Sequence, residues 1–246
     1  MPMKPTVDII QPMYNPIRNW EHATVDYTKQ LIALLPLYDV RLIIVNDGST
    51  QGASNASVAY VAQHITNFTY INNTENNGKG YAVRCGVAQS TANYVIYTDI
   101  DFPFELNNIP QVLQTLVNGA DVAIGVRSQN YYDSLNWQRK LSSKASRLLN
   151  TTFLKIPFND TQSGLKGFSS KAKPIFLATR INRYLFDTEF LAMVATSTPL
   201  VMQTTPITLR EGIVFTHMST TTMLRELINF GYVVIKATRN RLKRRR

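Results

Sequence analysis

Four short runs rich in β-branched and apolar residues occur within the first hundred positions, and each closes on a polar or glycine-bearing segment. The runs cover residues 7–10, 41–45, 68–71 and 94–98, with a fifth at 121–126. Between them, residues 20–35, 51–65, 80–90 and 107–117 read as amphipathic helices. This alternation predicts βαβ units with right-handed crossovers and a mostly parallel sheet covered by helices. Such sheets bind ligands beyond the carboxyl ends of their strands. Those ends here read Gln11-Pro12-Met13-Tyr14-Asn15, Asn46-Asp47-Gly48-Ser49-Thr50, Asn76-Asn77-Gly78-Lys79-Gly80 and Asp99-Ile100-Asp101. One rim is therefore expected to collect acids, amides and glycines.

After about residue 127 the alternation loosens. Residues 136–150 read as a basic amphipathic helix, 164–168 as a short strand, 187–197 as a helix, 200–209 as a strand and 221–236 as a last helix. With 246 residues, no internal repeat and no low-complexity linker, a single domain over 1–236 is expected. Its halves would divide near residue 126, with 237–246 as a basic tail. One cysteine, Cys85, and three histidines exclude a disulfide framework and a zinc ribbon or finger. The proline-interrupted N-terminus is unlike a signal peptide, and no run of apolar residues is long enough to span a bilayer. A cytoplasmic location is expected, peripheral at the cytoplasmic face of a membrane.

Net charge is +10, and the eleven residues from Lys236 to Arg246 hold seven Lys/Arg and no acid, leaving +3 on the rest. The basic character is thus a tail rather than a face. That argues against nucleic acid as a partner and suits attraction of an amphipathic C-terminal segment to anionic headgroups.

Asp99-Ile100-Asp101 is the sharpest chemical signal, because two carboxylates just past a strand end can share one hard divalent cation. Magnesium or manganese on nucleotide phosphates takes only one or two protein carboxylates; the bland alternative is a solvated turn. Asp47 can accept from a base or ribose while Gly48 admits the backbone close to a ligand, or the segment is a strand-to-helix turn capped by Ser49. The glycine-flanked Lys79 opens a helix, where anions are favoured. The segment lacks the spacing of a P-loop, and Val83 stands where a dinucleotide fingerprint needs its third glycine.

In their order along the chain, these segments resemble the family 2 glycosyltransferases with the GT-A fold. Asp160-Thr161-Gln162-Ser163-Gly164-Leu165-Lys166-Gly167-Phe168, Phe186-Asp187-Thr188-Glu189-Phe190 and Pro206-Ile207-Thr208-Leu209-Arg210-Glu211 are similar to segments of the dolichyl- and polyprenyl-phosphate hexosyltransferases. The resemblance implies an α/β GT-A fold: a mostly parallel, Rossmann-like sheet flanked by helices, with a more irregular acceptor-side C-terminal half. It implies that Pro12, Tyr14 and Asp47 line the base and ribose pocket, that Asp99 and Asp101 hold ribose and the metal diphosphate, and that Arg210 closes on the phosphates beside Lys79. Arg127, Arg139 and Ser143 match acceptor-phosphate residues, the last two sharing a helical face at i,i+4. The chain departs from the pattern at Pro103, where some relatives have a metal-contacting glutamine and Glu105 is the nearest substitute. It departs again at Leu209 for tryptophan and Ser163 for cysteine.

The implied activity is inverting transfer of a hexose from a UDP- or GDP-linked nucleotide-sugar to polyprenyl or dolichyl phosphate, with Mg2+ or Mn2+. A lipid phosphate arrives anionic and needs no strong base. A saccharide hydroxyl, the alternative acceptor, needs a carboxylate to take its proton, and Asp187 or Glu189 is the candidate. Both acids also suit the first turn of a helix for reasons of dipole alone. The sequence leaves donor base, sugar, acceptor and oligomeric state open.

Overall fold

The computed structural model describes residues 3–127, 152, 154, 156, 158, 160, 163–197, 199–211 and 220–244. Its first half is built from β1 (Thr6–Met13), α1 (Trp20–Leu34), β2 (Asp39–Asp47), α2 (Asn55–His64), β3 (Phe68–Asn73), α3 (Lys79–Gln89), β4 (Tyr94–Tyr97), α4 (Asn108–Val117) and β5 (Val122–Arg127). The second half adds β6 (Lys166–Ser169), α5 (Lys173–Leu177), α6 (Phe186–Ser197), β7 (Met202–Ile207) and α7 (Thr220–Arg244). The expected strands and helices of the first half are all present, with shifted ends. Helix α2, for instance, starts four residues later than expected because Ser54, rather than Ser49, caps it by accepting from the Ser57 N–H at 3.1 Å.

The seven strands pair in the order β3-β2-β1-β4-β6-β5-β7. β1 is parallel to both β2 and β4, and β2 to β3. Only β6 runs antiparallel, between β4 and β5, while β5 and β7 are parallel. The chain winds outward from β1 to β3 and then crosses back to place β4 on the other side of β1. At that switch point the loops after β1 and β4 diverge and leave a crevice, where open α/β sheets bind ligands.

Strand alternation separates two apolar layers. Ile10, Ile43, Val45, Val95 and Tyr97 pack with Val83, Phe176, Phe186 and Phe190 on the face carrying α3, α5 and α6. Ile9, Leu42, Ile44 and Ile96 pack with Val25, Val61, Val112 and Leu113 on the face carrying α1, α2 and α4. Gly86 of α3 lies against Ile10 and Val45, where an added Cβ would come within 2.6 Å of the Ile10 side chain. That close approach draws α3, and the glycine loop before it, onto the sheet.

Two elements differ from expectation. Helix α5 has no counterpart in the periodicity, being one turn held by packing against α3 and α6, with Phe176 in the apolar layer. Helix α7 continues through the expected tail to Arg244. Val233 and Ala237 are buried against the body, and Lys236 reaches Glu189 on α6 at 2.6 Å. These tertiary contacts carry the helix past the point where apolar periodicity fades. The helix expected over 136–150 lies outside the described residues. Among the described residues no helix is long and apolar enough to cross a membrane.

Candidate active site

The loops after β1 and β2 are laced together. Asn15, in the left-handed region at φ 45°, donates its N–H to Ser49 Oγ at 2.8 Å, and its Oδ1 accepts from the N–H groups of Thr50 and Gln51. Asp47, at the end of β2, is buried and accepts from the N–H groups of Asn77 at 3.0 Å and Gly78 at 2.7 Å, one on each carboxylate oxygen. Its carboxylate therefore holds the glycine loop against the sheet. Pro12 is buried in β1 opposite Val45, and Tyr14 stands half exposed at the rim.

Gly78 has φ +106°, and a Cβ there would meet the Asn182 carbonyl oxygen at 2.5 Å. Gly78→Ala is accordingly expected to lower stability by about 1–3 kcal/mol through backbone strain alone. A urea midpoint unchanged from wild type would show that the loop is not held in this conformation.

The loop after β4 turns back sharply. Phe102 has φ 45°, and its N–H donates to the Asp99 carbonyl at 3.0 Å, which brings Asp99 and Asp101 to the crevice. Lys79, at the start of α3, forms an ion pair with Asp99. Burial works against its ammonium, yet Asp99, Asp187 and Asp101 together hold its pKa above the ordinary lysine range. Burial, and then the neighbouring Asp99 carboxylate, push Asp101 above the usual aspartate range.

Arg210 comes to the same loop from more than a hundred residues away. Its backbone N–H donates to the Pro103 carbonyl at 3.0 Å beside the Phe104–Leu209 bridge. Its Nε and Nη2 donate to the carbonyls of Phe102 and Asp101, both at 2.6 Å, and Nη1 donates to Tyr27 Oη. The guanidinium carbon lies 4.5 Å from the centre of the Tyr27 ring. Arg210 thus braces the Asp-x-Asp turn while presenting positive charge at its edge.

Beneath this rim lies a buried ionic floor. Lys166 of β6 is fully buried, 3.2 Å from Asp187 Oδ2, and donates to the Ser163 carbonyl at 2.5 Å. The Tyr97 hydroxyl donates to Asp187 Oδ1. Burial drives Lys166 down and Asp187 up, each opposed by the other's charge, and raises Tyr97 well above the phenol range. Both Asp187 oxygens are therefore engaged. Glu189 is engaged too, accepting from the N–H groups of Arg180 and Ile181 at 2.8 Å and from Lys236. An added Cβ on Gly164 would lie 2.5 Å from Asp99 Oδ2, so the backbone after Ser163 closes directly on the Asp-x-Asp turn.

Arg127, matched above to an acceptor-phosphate residue, stands at the end of β5 and forms a two-point pair with Asp160, Nε to Oδ2 at 2.7 Å and Nη2 to Oδ1 at 2.8 Å. Burial works against the Asp160 carboxylate, but Arg127 holds it below the usual range. Arg139 and Ser143 lie outside the described residues.

The structure thus brings Lys79, Asp99, Asp101 and Arg210 to one place, with Asp47 positioning the loop that carries Lys79. Sequence reading assigned no role to Tyr27, Tyr97 or Lys166, because each acquires one only through a distant partner. Among the described residues no three His, Cys, Asp or Glu side chains converge as a self-sufficient metal cage. The crowded Asp99 and Asp101 carboxylates nevertheless fit a hard divalent cation completed by ligand phosphates.

A switch-point crevice with paired carboxylates and two cations is the kind of site that holds a nucleoside diphosphate and a divalent ion, and the family match assigns it to the glycosyltransferase class. A family model, glycosyl transferase family 2, matches residues 8–173, and the chain belongs to that family. A dolichyl-phosphate beta-glucosyltransferase of Drosophila melanogaster is 26% identical over 177 residues, covering 67% of this chain and 54% of that protein. A human protein of the same name is 25% identical over 167 residues, covering 63% and 52%. The chain spans just over half the length of these curated relatives. Among solved structures, the mannosyltransferase PcManGT from Pyrobaculum calidifontis, in complex with GDP-Man and Mn2+, aligns with a TM-score of 0.59 at 17% identity, covering 83% of this chain and 56% of that one. That likeness supports the GT-A fold.

Proposed function

We propose that this chain is an inverting hexosyltransferase that moves a sugar from a UDP- or GDP-linked donor to polyprenyl or dolichyl phosphate. The observation that carries the reading is the convergence of Lys79, Asp99, Asp101 and Arg210 at the carboxyl end of β4. The names of the Drosophila and human relatives support a dolichyl-phosphate acceptor and glucose as the sugar. Pro12, Tyr14 and Asp47 would frame the nucleoside.

Departure of the nucleoside diphosphate develops negative charge on its outer phosphate. Asp101 and Asp99 would hold a divalent ion, Mg2+ or Mn2+, whose role is to neutralise that charge. Arg210 adds a fixed cation on one side of the turn. Lys79 adds another once its ammonium exchanges Asp99 for a phosphate oxygen. Asp187, with both oxygens occupied by Lys166 and Tyr97, suits an anchor beneath the site better than a proton acceptor. That favours an acceptor already anionic, and Arg127, Arg139 and Ser143 would receive its phosphate. Because such an acceptor resides in a bilayer, the protein would work as a peripheral protein at the cytoplasmic face, aided by the cations that follow Lys236.

The test is transfer of labelled hexose from UDP-glucose and GDP-mannose to a short-chain polyprenyl phosphate with Mn2+ or Mg2+. Lipid-linked product from one donor is expected, and labelled saccharide in its place would move the reading to a saccharide acceptor. Arg139→Ala and Ser143→Ala should each raise the polyprenyl phosphate requirement about ten- to a hundredfold while sparing nucleotide affinity, from roughly 1.5–3 kcal/mol per charge-assisted contact. Normal saturation by the lipid in both variants would remove those residues from the acceptor site.

A further inference from the structure

Helix α7 buries one face and leaves the opposite one uncovered. Val233 and Ala237 pack into the body, and Glu226 accepts from the Leu185 N–H at 3.0 Å. On the far side stand Ile228, Tyr232, Ile235 and Leu242, exposed by 70%, 37%, 55% and 59%. At about 100° per residue these four fall within an arc of roughly 80° centred opposite the buried face. Four large apolar groups in one line are not the scattered exposure usual on a soluble surface.

The stripe runs into a groove of about 370 Å3 between α7 and the segment joining α5 to α6. Ile228, Asn229 and Tyr232 form one wall, and Arg180, Asn182 and Arg183 the other. Among the described residues neither the Arg180 nor the Arg183 guanidinium has an acceptor. Arg84 adds a third guanidinium behind them, donating to the Ile181 carbonyl at 2.7 Å and to Asn182. Of the acids on the helices flanking this surface, Glu189 is engaged by Lys236 and two backbone amides, while Glu226 accepts from Leu185 through Oε2 and its Oε1 is buried without a hydrogen-bond partner among the described residues.

We infer that the outward face of α7 and the Arg180–Arg183 groove form one docking surface for an anionic lipid leaflet, with the groove receiving a lipid phosphate headgroup. Unpaired guanidiniums suit phosphate oxygens, and the adjoining Ile228 and Tyr232 suit the glycerol and upper acyl region. A second copy of this chain is a poorer occupant, because Arg239 lies in the stripe and facing copies would bring the cations from Lys236 onward together. The inference rests on the reading of the protein as peripheral to a membrane, and it specifies which surface makes the contact and where a headgroup binds.

The test is sedimentation of the full chain with phosphatidylcholine vesicles, with and without one third phosphatidylglycerol, read without donor or acceptor so that it stands apart from transfer activity. Binding is expected only to the anionic vesicles and should weaken as salt rises above about 0.1 M. Arg180→Gln and Arg183→Gln should each weaken it about fivefold, from roughly 1 kcal/mol per cation near an anionic surface. Ile228→Asn with Ile235→Asn should weaken it further, and nucleotide binding should be unchanged in that variant and in Arg180→Gln, whose side chains are outside the donor site; Arg183 does not serve as that control because its Cγ lies against Gly78 of the glycine loop. Equal binding to both vesicle types, or full binding by the arginine variants, would overturn the inference. Inorganic phosphate binding lost in the arginine variants with vesicle binding intact would make this a free-phosphate site and overturn it as well. A concentration-dependent dimer abolished by Ile228→Asn with Ile235→Asn would assign the face to a second copy.

Discussion

Asp101→Asn is expected to lower transfer about a thousandfold, in line with removal of a preorganised electrostatic group from a developing charge. The side chain stands at the rim, and the bracing bond from Arg210 goes to the Asp101 backbone carbonyl, so the turn keeps its shape in the variant. Far-UV circular dichroism and the thermal midpoint should therefore match wild type. The same residue predicts a pH dependence. Its pKa is raised by burial and by Asp99, so protonation competes with a cation at a higher pH than for an ordinary aspartate. Mn2+-dependent donor affinity should fall as pH drops through that raised value, and Asp99→Asn, which removes the neighbouring charge, should move the fall to lower pH. Transfer within tenfold of wild type in Asp101→Asn, or wild-type transfer surviving exhaustive chelation, would remove Asp101 from the metal role.

The second large effect is on stability. Lys166→Met leaves Asp187 fully buried with only the Tyr97 hydroxyl and distant cations to offset its charge, and breaking a buried pair in this way costs about 3–5 kcal/mol. Adding Asp187→Asn should restore much of the loss, because the uncompensated charge disappears. The sign with pH is also set. Without Lys166 the folded-state pKa of Asp187 rises further above its unfolded value, so the folded variant keeps a proton that the unfolded chain releases. Stability of Lys166→Met should therefore increase as pH falls from neutral through that raised pKa toward the unfolded aspartate value. Urea titrations at several pH values read both effects. A single-variant loss below 1 kcal/mol, or no recovery in the double variant, would show that the pair is not coupled in the folded protein.

The two tests concern different layers of one site. The rim carries charges whose value lies in the transition state, whereas the floor carries charges whose value lies in keeping β4, β6 and α6 in register beneath it. Loss of the Asp101 charge should leave the melt unchanged, and loss of the Lys166 charge should not.

Much of this architecture was legible in the chain because its signals are local. The runs around Ile10, Ile43 and Val95 are short, β-branched and almost continuously apolar, as strands covered on both faces are, and the polar segments sit where strand ends must fall, so Asp47, Lys79, Asp99 and Asp101 could be placed on one rim. Gly78 and Gly80 beside Lys79 likewise announce a tight helix entry through their own backbone freedom. The tertiary structure alone decided which of these charges meet. It put Lys79 on Asp99, brought Arg210 back across the sheet to Tyr27 and the Asp-x-Asp turn, and closed both oxygens of Asp187 with Tyr97 and Lys166. It also paired Arg127 with Asp160 and carried α7 to Arg244 on contacts with α6. The physical reason is one of range. Hydrogen-bonding period and backbone propensity act over a few residues and are written in the local string, whereas a buried charge is tolerated only where a partner arrives from elsewhere in the chain. That partner is set by strand order and by the direction of the crossovers.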